Sequence, residues 1–123
     1  MAMTNKQKVV INVHDADTNY QQVDIIGEID RDTLPGFREE MEVFLAGFSG
    51  NNLLLNLEKL GFINSEGIGY LSDIHNRLVV QNKNVYTCSA SARIVDIFQL
   101  VGLNQIIQHF PNIDGFLNKI KTK

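Results

Sequence analysis

With 123 residues the chain has the length of one ordinary domain, enough to enclose a single apolar core. It is 44% hydrophobic and 20% charged, as a soluble globular protein is, and its formal net charge of −3 leaves no basic stripe of the kind that nucleic-acid binding needs. No run approaches the roughly 18 apolar residues of a membrane span. The N-terminal MAMTNKQKVV lacks the apolar stretch of a secretory signal. The one cysteine, Cys88, excludes an internal disulfide and, within VYTCSA, reads as a small core residue. A cytoplasmic protein is expected.

The first elements alternate with a period of two. VVINV (residues 9–13) places Val9, Ile11 and Val13 on one face, HDADTN follows as a turn, and QQVDIIGEI (residues 21–29) resumes the alternation through Val23 and Ile25. Together they predict a strand pair. The period then lengthens: Leu34, Phe37, Met41, Phe44, Leu45 and Phe48 make one stripe of an amphipathic helix. Asp32 or Thr33 is placed to cap it, with Pro35 in its first turn and GFSGNN at its end. LLLNL (residues 53–57) is the short apolar run of a strand covered on both faces.

Ile68, Leu71, Ile74, His75, Leu78 and Val79 again have helical spacing, and NVYTC (residues 84–88) is another strand. Ser91 offers an N-cap to a helix with Ile94, Ile97, Phe98 and Val101 on one side, closed by Gly102. IIQHF (residues 106–110) predicts a further strand, and Asn112 caps a last helix with the stripe Ile113, Phe116, Leu117 and Ile120. The order ββαβαβαβα predicts one α/β domain over residues 1–123, with its core between about residues 9 and 120. Its mixed sheet begins with an antiparallel pair and continues largely parallel.

Few residues suggest catalysis. His14, His75 and His109 lie on unrelated elements without a metal partner at ligand spacing, so no metal site is expected. There is no phosphate-binding G-x-x-x-x-G-K-(S/T) loop and no nucleophile elbow. Glu39 and Glu40 fall on the polar side of the first helix, and Arg77 and Arg93 read as solvated helix residues. Gly67-Ile68-Gly69 sits in the second helix, where glycine permits close packing. No catalytic residue and no cofactor is expected, and the chain is not read as an enzyme.

The exception is the junction FINSEGIGYL, where an apolar run meets a helix through Asn64, Ser65 and Glu66. Asn64 or Ser65 suits the N-cap, and Glu66 is favoured by the positive end of the helix dipole. A phosphoryl group on Ser65 would be tolerated at a helix N-terminus, where anions are accepted. It would add about −1.5 to −2 charges that a partner could read.

Three segments in order resemble the STAS domains, in particular the bacterial anti-sigma factor antagonists. They are Gly27-Glu28-Ile29-Asp30, the family's G-E-(L/I)-D; LLLNLEKLGFINSEGIGYL (residues 53–71), its apolar strand followed by D-S-(S/T)-G-(L/I)-G; and SASARIVDIFQLVGL (residues 89–103). The resemblance spans residues 9–120 and implies a sheet with about four helices mainly on one side. It also implies a partner-switching phosphoprotein in bacterial transcription signalling. Ser65 would be the phosphoacceptor, and Asp30, Asn64, Ser65, Glu66, Gly67 and Ile68 would form the contact surface. The partners would be an anti-sigma factor that is a GHKL-type serine kinase and a PP2C-type phosphatase, with room for a weak homodimer and with neither nucleic acid nor membrane insertion. Two residues depart from the pattern: Asn64 stands for the usual Asp, and Glu66 for a small residue. Electrostatics sets partner choice, so an adapted kinase is expected, or a fixed charge that replaces the switch. The resemblance also leaves open a STAS subunit of a membrane lipid-transport complex of ABC type, or a constitutive binder without phosphorylation.

Overall fold

The computed structural model describes residues 8–121. The expected strands and helices form in the expected order: β1 (Val10–Val13), β2 (Gln21–Ile29), α1 (Leu34–Gly47), β3 (Asn52–Asn56), α2 (Ser65–Val80), β5 (Asn84–Cys88), α3 (Ala92–Val101), β6 (Gln108–Phe110) and α4 (Ile113–Lys121). A further short strand, β4 (Leu60–Ile63), intervenes between β3 and α2, and a 3-10 turn (Leu103–Gln105) precedes β6.

β1 runs antiparallel to β2, and the remaining pairs are parallel, in the order β1-β2-β3-β5-β6. The nine residues of β2 serve two neighbours end to end: residues 21–24 pair with β3, and residues 27–29 pair with β4. The register shifts between Gly27 and Glu28, and Gly27 takes a φ of 123°. A Cβ there would also lie 3.1 Å from the Lys8 carbonyl oxygen, so both the backbone and the space call for glycine.

Alternation along the strands divides the core into two layers. Val23, Ile25, Leu53, Leu55 and Val85 pack beneath α1, α2 and α3, with Phe37, Met41, Leu71, Ile74 and Phe98 filling the space between. On the opposite face Leu54, Tyr86, Cys88 and Phe110 pack against Phe116 of α4. Three helices therefore cover one side and α4 the other. α4 leaves the β1–β2 end of its face to a polar cluster. There the Asp24 carboxylate accepts from Gln22 Nε2 (2.8 Å), Asn56 Nδ2 (3.0 Å) and Asn12 Nδ2 (3.2 Å), and lies 2.8 Å from His14 Nε2. Burial pushes the Asp24 carboxyl up, but the hydrogen bonds from His14, Gln22, Asn56 and Asn12 together outweigh it and hold the group down at about 2.

Two expectations need correction. Thr33 occupies the N-cap position of α1 without capping it: its hydroxyl accepts from the Asp30 amide (2.9 Å) and donates to the Glu28 carbonyl (2.7 Å). The Asp30 carboxylate takes the Asp32 and Thr33 amides instead, at 2.9 and 3.0 Å. Arg77 is not simply solvated. Its two terminal nitrogens reach both oxygens of Glu42 on α1, at 2.7 and 2.8 Å, and the Tyr70 hydroxyl donates to the same carboxylate. Those hydrogen bonds, from Arg77 first and then Tyr70, hold Glu42 at about 2. The Arg38 guanidinium lies 5.1 Å above the Tyr70 ring, so α1 and α2 are tied by one cluster.

Candidate functional site

β2 and β4 end side by side. The Asn64 amide donates to the Ile29 carbonyl at 3.0 Å, extending the parallel ladder one residue past β4. Asp30 and Asn64 thus leave adjacent strands at the same end of the sheet. Asp30 turns at once into α1: its carbonyl accepts from the Leu34 amide at 2.9 Å, while its carboxylate closes the loop as described above. Both its carbonyl and its carboxylate therefore help hold the loop's shape.

Asn64 settles which residue caps α2. Its backbone is extended (φ −87°, ψ 175°), its Oδ1 accepts from the Gly67 amide at 2.8 Å, and its carbonyl accepts from the Ile68 amide at 3.0 Å. Ser65, the first helical residue, is exposed, and its hydroxyl makes no hydrogen bond among the described residues. With the cap supplied by its neighbour, the Ser65 oxygen has no structural duty. It stands at the positive end of a 16-residue helix.

Glu66, also exposed, follows in the first turn. Gly67 is buried beneath it, because the helix presses there onto Ile29 and Ile63. Ile68 is buried to 7% exposure and anchors the same turn in the core. Of the six residues expected at the contact surface, Ser65 and Glu66 are exposed, Asp30 and Asn64 are half-buried, and Gly67 and Ile68 seat the turn. Residue patterns named Thr33 only as a cap for α1 and gave no role in this corner to Ile29 and Ile63, both of which lie within the matched segments. The trace of the last two was the glycine itself, out of place in a helix unless something lies close.

The histidines stay apart: His14 joins Asp24, His75 lies on α2, and His109 Nδ1 is 2.8 Å from the Thr87 hydroxyl. Burial lowers the His109 pKa. Among the described residues no group of three or more His, Cys, Asp or Glu side chains could hold a metal ion. No helix among them is long and apolar enough to cross a membrane.

Comparison with known proteins agrees with this architecture. The anti-sigma-B factor antagonist of Listeria monocytogenes is 26% identical over 110 residues, which cover 89% of this chain and 95% of the relative. An anti-sigma factor antagonist from Mycobacterium paratuberculosis superposes with a TM-score of 0.76 at 23% identity, covering 92% of this chain and 94% of its own. The anti-sigma factor antagonist SpoIIAA in its unphosphorylated form gives 0.73 at 15% identity, with 93% and 98% covered. At such identities the two structures attest the fold alone. The family model for the STAS domain matches residues 8–115, nearly the whole of this chain, and the chain belongs to the STAS domain family.

Proposed function

We propose that the chain is an anti-sigma factor antagonist, a non-catalytic binding module controlled at Ser65. With Ser65 unmodified it binds an anti-sigma factor that is also a GHKL-type serine kinase. The kinase moves the γ-phosphoryl group of ATP to the Ser65 oxygen, ADP leaves, and the hydroxyl proton passes to a base on the kinase. The modified protein dissociates, and a PP2C-type phosphatase restores the hydroxyl by hydrolysis. The whole chain acts as one STAS module, at a surface made of Asp30, Asn64, Ser65, Glu66, Gly67 and Ile68.

The observation that carries this reading is the division of labour between Asn64 and Ser65. Asn64 accepts from the Gly67 amide, which leaves an exposed, unengaged hydroxyl at the first position of α2. The curated relative named as an anti-sigma-B factor antagonist adds support through its coverage of nearly the entire chain. Phosphate at that position would add about −1.5 to −2 charges beside the Glu66 carboxylate. The helix dipole offsets part of that repulsion within the domain. A partner surface built to accept the neutral hydroxyl has no such compensation, and like charge across an interface weakens binding.

The test is phosphoryl transfer from ATP by the purified GHKL-type serine kinases of the source genome, with wild type and Ser65→Ala compared by intact mass and phosphopeptide mapping. Labelling of wild type alone, at Ser65, is expected. Equal labelling of both proteins would sink the site, and no labelling of either would leave a constitutive binder.

A further inference from the structure

At the far edge of the sheet, β6 pairs only with β5 among the described strands and is three residues long. α3, the 3-10 turn and β6 border a cleft of about 450 Å³ there. None of its lining residues belongs to the surface of Asp30 and residues 64–68.

His109 of β6 lines this cleft. Its Nδ1 lies 2.8 Å from the hydroxyl of Thr87, itself 1% exposed. The Phe98 ring stands edge-on to the imidazole, with centroids 6.4 Å apart. These contacts fix the ring. Its other nitrogen, Nε2, is buried and has no hydrogen-bond partner among the described residues. In either tautomer Nε2 is therefore a donor or an acceptor without a match. Folds rarely keep such an atom, because leaving it unpaired is destabilising. Burial also lowers the His109 pKa, so the ring is uncharged at neutral pH.

The rest of the lining narrows the chemistry. Gln99 of α3, Asn104 and Gln105 of the 3-10 turn, and Gln108 of β6 all carry carboxamides. No Asp, Glu, Lys or Arg is among the lining residues. A charged ligand would give up hydration here with no counter-charge to replace it. A neutral ligand with a donor and an acceptor side by side loses little. Carboxamides and a neutral imidazole can match it group for group. Val95, Ile106 and Pro111 add apolar surface for the rest of such a molecule. The volume also falls in the range of about 300–1,000 Å³ that small-molecule sites occupy.

We infer that the cleft binds a small neutral molecule with a carboxamide or a similar flat donor–acceptor edge, and that His109 Nε2 is among the groups it satisfies. Such a ligand bridges α3, the 3-10 turn and β6, and so steadies the edge strand of the sheet. The inference does not depend on Ser65 or its modification.

The test is an NMR titration of the isotope-labelled chain with nicotinamide and benzamide, each compared with its carboxylate counterpart, nicotinate or benzoate. Wild type, His109→Phe and Gln99→Leu are titrated, and the melting temperature of each is measured with and without ligand. At least one amide is expected to give saturable shifts confined to the end of α3, the 3-10 turn and β6. The melting temperature of wild type should rise with that amide. The matching carboxylate should bind about tenfold more weakly or less well still. His109→Phe should weaken the amide by about tenfold. Gln99 is exposed, so Gln99→Leu should keep the fold's stability while weakening binding by about threefold or more. That variant decides the matter if His109→Phe proves unstable. The site is overturned if neither amide shifts these residues saturably, or if the carboxylates bind as well. Undiminished affinity in Gln99→Leu and in a folded His109→Phe would place the ligand elsewhere and overturn it too.

Discussion

Gly67 and Ile29 meet so closely that no methyl group fits between them. A Cβ on Gly67 would lie 2.7 Å from Cγ2 of Ile29 and 2.8 Å from Cγ1 of Ile63. Both isoleucines are buried and β-branched, with stiff χ1 angles, so neither swings aside at small cost. Gly67→Ala is therefore expected to destabilise by about 1–3 kcal/mol, despite alanine's better helix propensity. Gly69→Ala, in open space, is expected to stabilise by up to about 1 kcal/mol. Urea titrations of the two variants check the contrast, and coincident midpoints would contradict it.

The cap of α2 rests on one acceptor, Asn64 Oδ1. Asn64→Ala should cost about 1 kcal/mol by thermal unfolding. Asn64→Asp keeps an acceptor and adds a negative charge where the helix dipole favours it. It should match or exceed wild-type stability at neutral pH. A loss as large as that of alanine would show that the cap bond is not the determinant.

Asp24 gives the fold an acid-sensitive component. Its folded pKa, about 2, lies below the ordinary 3.8, so the unfolded chain binds its proton first as pH falls. The stabilisation is complete above the ordinary value and is lost as pH drops from about 4 through 2. Asp24→Asn should cost roughly 1–2 kcal/mol at neutral pH and should flatten the stability profile in that acid window. A parallel profile in wild type and variant would remove Asp24 as its cause.

Glu42 is depressed to a similar value, but its pair with Arg77 is exposed on both sides, so solvent and salt weaken it. A double-mutant cycle with Glu42→Ala and Arg77→Ala should give a coupling of about 0.2–1 kcal/mol that shrinks at about 1 M salt. Coupling that persists unchanged in salt would show a more desolvated pair than the geometry describes.

Cys88 is fully buried, and burial pushes its thiol pKa up. Both effects suppress the thiolate, which is the reactive form. The native protein should react with a thiol-specific disulfide reagent only at the rate at which it opens, and completely in denaturant. Rapid labelling under native conditions would refute the burial.

Several features follow from short stretches of chain, and these were legible in the residues. Ser91 accepts from the Ile94 amide and Asn112 from the Gly115 amide, as their types and positions predict, and Gly102 closes α3 with a left-handed φ. The alternation of QQVDIIGEI gave the bounds of β2, and the stripe through Phe37 and Met41 gave α1 its buried face. Helix periodicity and capping depend on neighbours within about four residues, so one sequence carries them.

β4 was not legible. Leu60–Ile63 has only its two end residues buried, and with Gly61 and Phe62 exposed between them the period-two pattern is absent. It is a strand because residues 27–29 of β2, some thirty positions away, supply its hydrogen bonds. Val101 shows the reverse failure: its helical spacing belongs to the apolar stripe, but just before the left-handed turn at Gly102 it is 54% exposed. Arg77 meets Glu42 only because α1 and α2 pack side by side.

The sequence by itself determined every strand and α-helix except β4, their order, the caps at Ser91, Gly102 and Asn112, and the serine at the start of α2. Only the tertiary structure decided that Asn64 rather than Ser65 carries the cap, that Asp30 turns beside it, and that Arg77 meets Glu42 across α1 and α2. The physical reason is range. Periodicity and capping are written in adjacent turns, whereas a site is assembled where distant strand and helix ends converge, and that convergence depends on how buried surfaces such as Gly67 against Ile29 and Ile63 fit together.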